Sequence, residues 1–209
     1  MGYNESTESA MDGTLDRVGE IFKRLQDRKE EIAARSQREA QAALEPGEVV
    51  PSWGRDQIVT DDGMAAFRGA SAVAEDELRG VFASLAHGLD SRMAQPPAAA
   101  DLAAVQASLG RSNLTLRELQ ALRDRYEDSY QLTRLIDEAA WKRFHVAIDG
   151  GATESALADN AEAACERAVW MLYDGVSPRV ARSQTLYELT GGRMDARDQL
   201  YELFGSAGE

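Results

Sequence analysis

Cysteine, histidine and lysine are all scarce in this chain of 209 residues. The single cysteine, Cys165, excludes an internal disulfide framework and a multi-cysteine metal site. The two histidines, His87 and His145, are too few for a histidine-built centre. A di-iron bundle needs two Glu-x-x-His pairs on facing helices. The residues three before these histidines are Ser84 and Lys142, so neither pair exists. Lysine supplies 3 of the 23 bases and arginine the other 20, a bias we read as GC-rich coding rather than function. No apolar run approaches 18 residues, so no membrane span is expected. The opening MGYNESTESAMDG is polar and acidic, which predicts no secretory signal. Gly-x-Ser-x-Gly, Walker and Gly-x-Gly-x-x-Gly motifs and EF-hand loops are missing too. No metal, no cofactor and no small-molecule ligand is therefore expected. The expected compartment is the cytoplasm or the inside of a phage particle.

Acids outnumber bases 36 to 23, for a net charge of −13, which argues against a general nucleic-acid binder. The charge is uneven. Residues 1–60, 61–110 and 152–209 are each negative, while 111–151 hold seven bases against seven acids.

What the chain has is helical pattern. Alanine, the best helix former, occurs 34 times, and strand alternation is absent. The spacing predicts a first helix from Thr14, as N-cap, to about Leu44. Its stripe is Leu15, Val18, Phe22, Leu25 and Ile32, after a loose tail over 1–13. A second helix is expected from about Gly63 to Met93, capped by Asp61 or Asp62, and a short third from Asp101 to Gly110. The fourth is read as one beam from the Thr115/Glu118 capping-box pair to Gly150-Gly151. Its core stripe is Leu119, Leu122, Tyr126, Tyr130, Thr133, Ile136, Ala140, Phe144 and Ile148. A fifth runs from Thr153 to Asp174-Gly175. Ser177-Pro178 opens a sixth, and a seventh begins near Asp195 with Leu200, Leu203 and Phe204 inward. The expected fold is all-α, a bundle of about six to seven helices with a long N-terminal helix and an extended arm. Residues 1–60 would form the helix and arm, and 61–209 the bundle.

Residues 46–60, PGEVVPSWGRDQIVT, hold two prolines and two glycines and cannot be helical. Val49, Val50 and Trp53 are too apolar for an idle linker. They either strap the chain's own domain or dock a neighbour. The run Ala168–Tyr173 is apolar all round its helix, so Trp170 and Tyr173 are either deep core or interface anchors, and the same holds for Trp141. These six residues, Val49, Val50, Trp53, Trp141, Trp170 and Tyr173, are the candidate protein interface. No catalytic residue is assigned. His145 with Asp149 four residues on could make a base, but reads better as a surface ion pair, and Cys165 reads as a small buried thiol.

The expectation is a non-enzymatic structural or assembly subunit, bound to a protein partner or to itself. Two alternatives stand beside it. One is a helix-turn-helix regulator over 178–204 using Arg179, Arg182, Arg193 and Arg197. The other is a small enzyme with a carboxylate/His145 site.

Overall fold

The computed structural model describes residues 5–48, 51–146 and 154–192. Of these, 79% are helical, in seven helices with no strand among the described residues. That is over twice the usual helix share of about a third, so the all-α reading holds. Ile148, Asp149, Gly150, Gly151, Thr153 and the expected seventh helix lie outside the described residues.

The first helix, α1, spans Glu5–Ala42 and so begins nine residues before Thr14. Thr7, Met11 and Thr14 carry the i+3/i+4 stripe backwards, and all three are buried. Thr14 is no cap. Its hydroxyl donates to the Ala10 carbonyl at 2.8 Å, the in-helix use of a threonine. The second helix, α2, spans Asp61–Ala94. Its N-cap is Thr60, whose Oγ1 accepts from Gly63 N, while Asp61 and Asp62 sit in the first turn beside the positive helix end. Helices α6 (Glu154–Asp174) and α7 (Pro178–Leu189) follow later in the chain, with Ser177 capping α7 and proline at N1 as expected.

These four close a ring, α1 on α2, α2 on α6, α6 on α7 and α7 on α1. Polar pairs fix the antiparallel registers. Arg24 bonds Glu77 between α1 and α2, and Arg92 meets Glu154 at 3.5 Å between α2 and α6. Arg182 meets Asp16 at 2.7 Å, and Asn160 Nδ2 donates to the Leu189 carbonyl at 3.0 Å. Inside lie Leu15, Val18, Leu78, Leu89, Leu157, Ala164, Ala168, Ala181 and Leu189, all essentially without exposure. The first half of α1 is thus a wall of the main core. Helix α1 packs on both α2 and α7.

Beyond Leu25, α1 outruns α7 and pairs with the first turns of α2. There the segment 51–60 lies across it. Ser36 is fully buried, and its Oγ accepts from the backbone N–H of Val59 and of Thr60, both at 2.8 Å. The Ser36 and Thr60 hydroxyls are also bonded, at 3.0 Å. Gln37 Nε2 donates to the carbonyls of Gly54 and Gln57, at 2.7 and 2.8 Å. A Cβ on Gly63 would lie 2.7 Å from Ile58 Cγ2 and 3.0 Å from Ser36 Cβ. Only glycine lets the strap come this close.

The expected single beam over 115–150 is two helices. Helix α3 spans Ala99–Leu109, α4 Leu116–Arg125 and α5 Tyr130–Phe144. The Thr115/Glu118 capping box forms at the start of α4. The break falls at Tyr126–Ser129, where Asp128 and Ser129 offer side chains that favour caps and turns over helix interiors. A straight helix would leave its apolar stripe without a partner. The break folds α5 back on α4, with Arg123 Nε donating to Asp137 Oδ1 at 3.0 Å. Burial pushes the Asp137 carboxyl up, against the opposing pull of Arg123. Val105, Leu114, Leu119, Leu132, Ile136 and Ala140 then close a second, smaller core. Leu132 was not on the expected stripe, and Phe144, which was, is 36% exposed.

Two substitutions test the strap and the second core. Ser36→Ala strands two strap N–H groups and is expected to cost about 1–3 kcal/mol in a urea titration, with faster tryptic cleavage after Arg55. Unchanged stability and cleavage would mean that Ser36 does not hold the strap. Ile136→Ala is expected to cost about 2–5 kcal/mol, and a loss under about 0.5 kcal/mol would show that the α3–α5 core adds little.

Candidate protein-interface surfaces

Helix α6 is not greasy on every side. Ala161, Ala164, Ala168, Met171 and Leu172 face the bundle and are buried. Asp159, Glu162, Glu166, Trp170 and Tyr173 follow one another at steps of three and four, and all are exposed. Trp170 is 57% exposed and Tyr173 60%. Neither belongs to the core. Small alanines on the inner face allow α6 to sit close to its neighbours, which leaves the two large rings outside.

Polar neighbours hold both rings. The Arg167 guanidinium sits over the Trp170 ring, 4.9 Å from its centre. Tyr173 Oη donates to Glu75 Oε2 at 2.8 Å, and Arg79 donates to Glu75 Oε1 at 2.8 Å. Arg79 and then Tyr173 hold the Glu75 carboxyl below its ordinary range. The same bond pushes the Tyr173 phenol up.

A second surface lies at the end of α5. Trp141 is 58% exposed, and Phe144 and Val146 are exposed beside it. His145 ends the helix in the left-handed region, φ 53°, where its N–H bonds the Trp141 carbonyl. Its ring meets the Trp141 indole edge-on with centres 6.2 Å apart. Arg143 reaches back and donates to the carbonyls of Arg111, at 2.8 Å, and Leu109. These bonds tie the last turn of α5 to the exposed carbonyl end of α3. Trp141 stands outward from this turn.

The other expected residues fare differently. Trp53 is half-buried in the strap on the chain's own α1. Val49 and Val50 lie outside the described residues, as do Arg193 and Arg197. Of the remaining arginines in the expected helix-turn-helix, Arg182 is bonded to Asp16. Cys165 is buried, and burial pushes its thiol up. Among the described residues no group of three His, Cys, Asp or Glu side chains converges on a point. A groove of about 420 Å³ runs between α1 and α2, lined by small residues including Ala10, Gly13, Ser84 and Gly88. No described helix is long and apolar enough to cross a membrane.

Sequence reasoning missed Ser36 and Gly63, because a hydroxyl in a helix and a glycine beside two acids carry no marker of a distant strap. It named Trp141, Trp170 and Tyr173 without deciding between core and surface. The run of exposed acids on the face of Trp170 was the available signal, since a helix side that carries Asp159, Glu162 and Glu166 cannot be interior.

The chain matches no family model, no curated protein and no solved structure.

The Glu75 pair gives a pH test. A carboxyl depressed on folding adds stability above its ordinary titration range, and that stability is lost as pH falls through its lower, native value. In a carbon-detected NMR titration Glu75 is expected to titrate below the ordinary carboxylates. Tyr173→Phe should move it part of the way up, and Arg79→Gln further. An unmoved Glu75 in both variants would mean that neither bond forms in solution.

Proposed function

We propose that this chain is a non-enzymatic helical subunit that works through protein–protein contacts within a larger bacterial or phage assembly, in the cytoplasm or within a phage particle. One observation carries the reading. Two tryptophans on separate helices, Trp141 and Trp170, are each more than half exposed. Each has aromatic or apolar company, Phe144 and Val146 for one and Tyr173 for the other. Tryptophan and tyrosine are the residues that most often anchor interfaces. The chain fills its own two cores with aliphatic side chains, Phe22 and Phe82, and holds Trp141, Trp170 and Tyr173 out of them.

The polar rims support the same reading. Arg167 on Trp170 and Glu75 on Tyr173 keep the rings in fixed positions, so less freedom is lost when a partner covers them. The enzyme alternative gains nothing from His145, which caps a helix with an exposed ring. The regulator alternative has Arg182 engaged with Asp16 of α1 at the bundle surface.

The test is the native mass of the full chain isolated under mild conditions, with every co-purifying chain identified. The wild-type chain is expected to run above the monomer. Trp170→Ala with Trp141→Ala should return it to the monomer with its helical circular-dichroism signal and melting point nearly unchanged. A wild-type chain that runs as a lone monomer would overturn the proposal. So would a double variant that assembles like the wild type.

A further inference from the structure

The two exposed aromatic surfaces differ in charge. Helix α6, Glu154–Asp174, holds five acids against one base, Arg167. Asp159, Glu162, Glu166 and Asp174 all stand on its exposed side with Trp170 and Tyr173. The segment 130–146 holds three bases, Arg134, Lys142 and Arg143, against Asp137 and Glu138. Asp137 is taken up by Arg123, and Glu138 sits between Arg134 and Lys142 at 3.5 and 3.7 Å. The Lys142 side chain is 76% exposed. The tip of α5 is therefore aromatic and cationic, and the face of α6 aromatic and anionic. Within one chain neither covers the other, since Trp141 and Trp170 are both open in the same structure.

We infer that the α5 tip of one copy docks on the α6 face of a second copy, through Trp141, Lys142 and Phe144 against Glu162, Glu166, Trp170 and Tyr173. The inference rests on the proposed subunit role and names the partner. Charge decides the mode of pairing. Two α6 faces meeting about a two-fold axis would set Glu162 and Glu166 of one copy against the same carboxylates of the other. Like charges facing across an interface oppose it, and opposite ones favour it. Two α5 tips would likewise oppose Lys142 to Lys142. The head-to-tail contact brings opposite charges together and covers both tryptophans at once. A contact of this kind uses two different surfaces on every copy, so it does not stop at two. It adds copies until a ring closes or a filament runs on. Its strength should fall with salt, since the charged groups on both sides are exposed before contact.

The test uses two full-length variants. One, Trp170→Ala with Glu166→Lys, removes the α6 face. The other, Trp141→Ala with Lys142→Glu, removes the α5 tip. All four positions are exposed, so helical content and melting point are expected to match the wild type. In sedimentation velocity at low salt the wild type should form species above the monomer that shrink as salt is added. Each variant alone should associate more weakly by at least about tenfold. An equimolar mixture should form a dimer and nothing larger, because one intact tip meets one intact face and no further pair remains. A mixture that stays monomeric overturns the inference, as does a variant that self-associates like the wild type. A wild-type monomer that still carries a different protein, lost on Trp170→Ala, overturns the self-pairing and leaves the subunit role standing. A wild-type monomer with no partner overturns both.

Discussion

Unequal helix length is the constraint on which the rest of this fold depends. Helices α1 and α2 have 38 and 34 residues, and α7 has 12. At 1.5 Å per residue these are about 57, 51 and 18 Å. Four helices can close a shared core only over the length of the shortest. On α1 that stretch is marked by Met11 to Leu25. Past it, Ile32, Ala33 and Ser36 are still buried, so something else must cover them. The first turns of α2 and the strap 51–60 meet α1 here, the strap on Ser36. The strap has no helical hydrogen bonds of its own, so it takes them from α1, through Ser36 and Gln37. The demand for Gly63 follows from the same closeness. One side-chain oxygen in the middle of a helix thus fixes the entry of the chain into α2.

Arginine does comparable work at the other end. Between α2 and α6 the chain makes a three-helix unit with its own small core, joined to the bundle by a few contacts such as Gln131 to the Met93 carbonyl at 3.3 Å. A core of six buried residues is little to hold three helices. Arg143 adds hydrogen bonds to two carbonyls at the end of α3, which would otherwise point at water or at nothing. Arg143 itself stays exposed while it makes these bonds, as do Trp141 and Phe144 in the same last turn of α5.

Much of the architecture was legible because the apolar period of 3.6 and the breakers agree. Pro96-Pro97, Gly110, the Thr115/Glu118 box and Ser177-Pro178 each mark a helix end where the chain has one. The errors have specific causes. The start of α1 was hidden because Thr7 and Thr14 count as polar in a pattern search, while in the fold they bury their methyl groups and satisfy their hydroxyls. The division of the fourth helix was hidden because Leu119, Leu122, Tyr126, Tyr130 and Thr133 keep helical steps straight through the break. Pattern alone cannot tell a helix from two helices in phase. Only the need of the stripe for a partner, supplied by α5 folding back on α4, decides it. Of the interface residues, Trp141, Trp170 and Tyr173 were legible as unusual and not as exposed. Exposure depends on what α6 packs against, and its small inner residues made that a question of tertiary contact.

The charge distribution carries the last step. A chain with net charge −13 repels copies of itself at long range. Association between copies therefore needs a local departure from that average, placed where the contact is made. The segment 111–151 is such a departure, with seven bases against seven acids in a chain that is negative elsewhere, and it carries Trp141, Lys142 and Phe144. The α6 face is the opposite departure, more acidic than the chain at large and marked by the other exposed tryptophan. A general negative charge then has a use of its own. It suppresses random sticking of two exposed aromatic surfaces, and leaves open the one approach in which the cationic tip meets the anionic face.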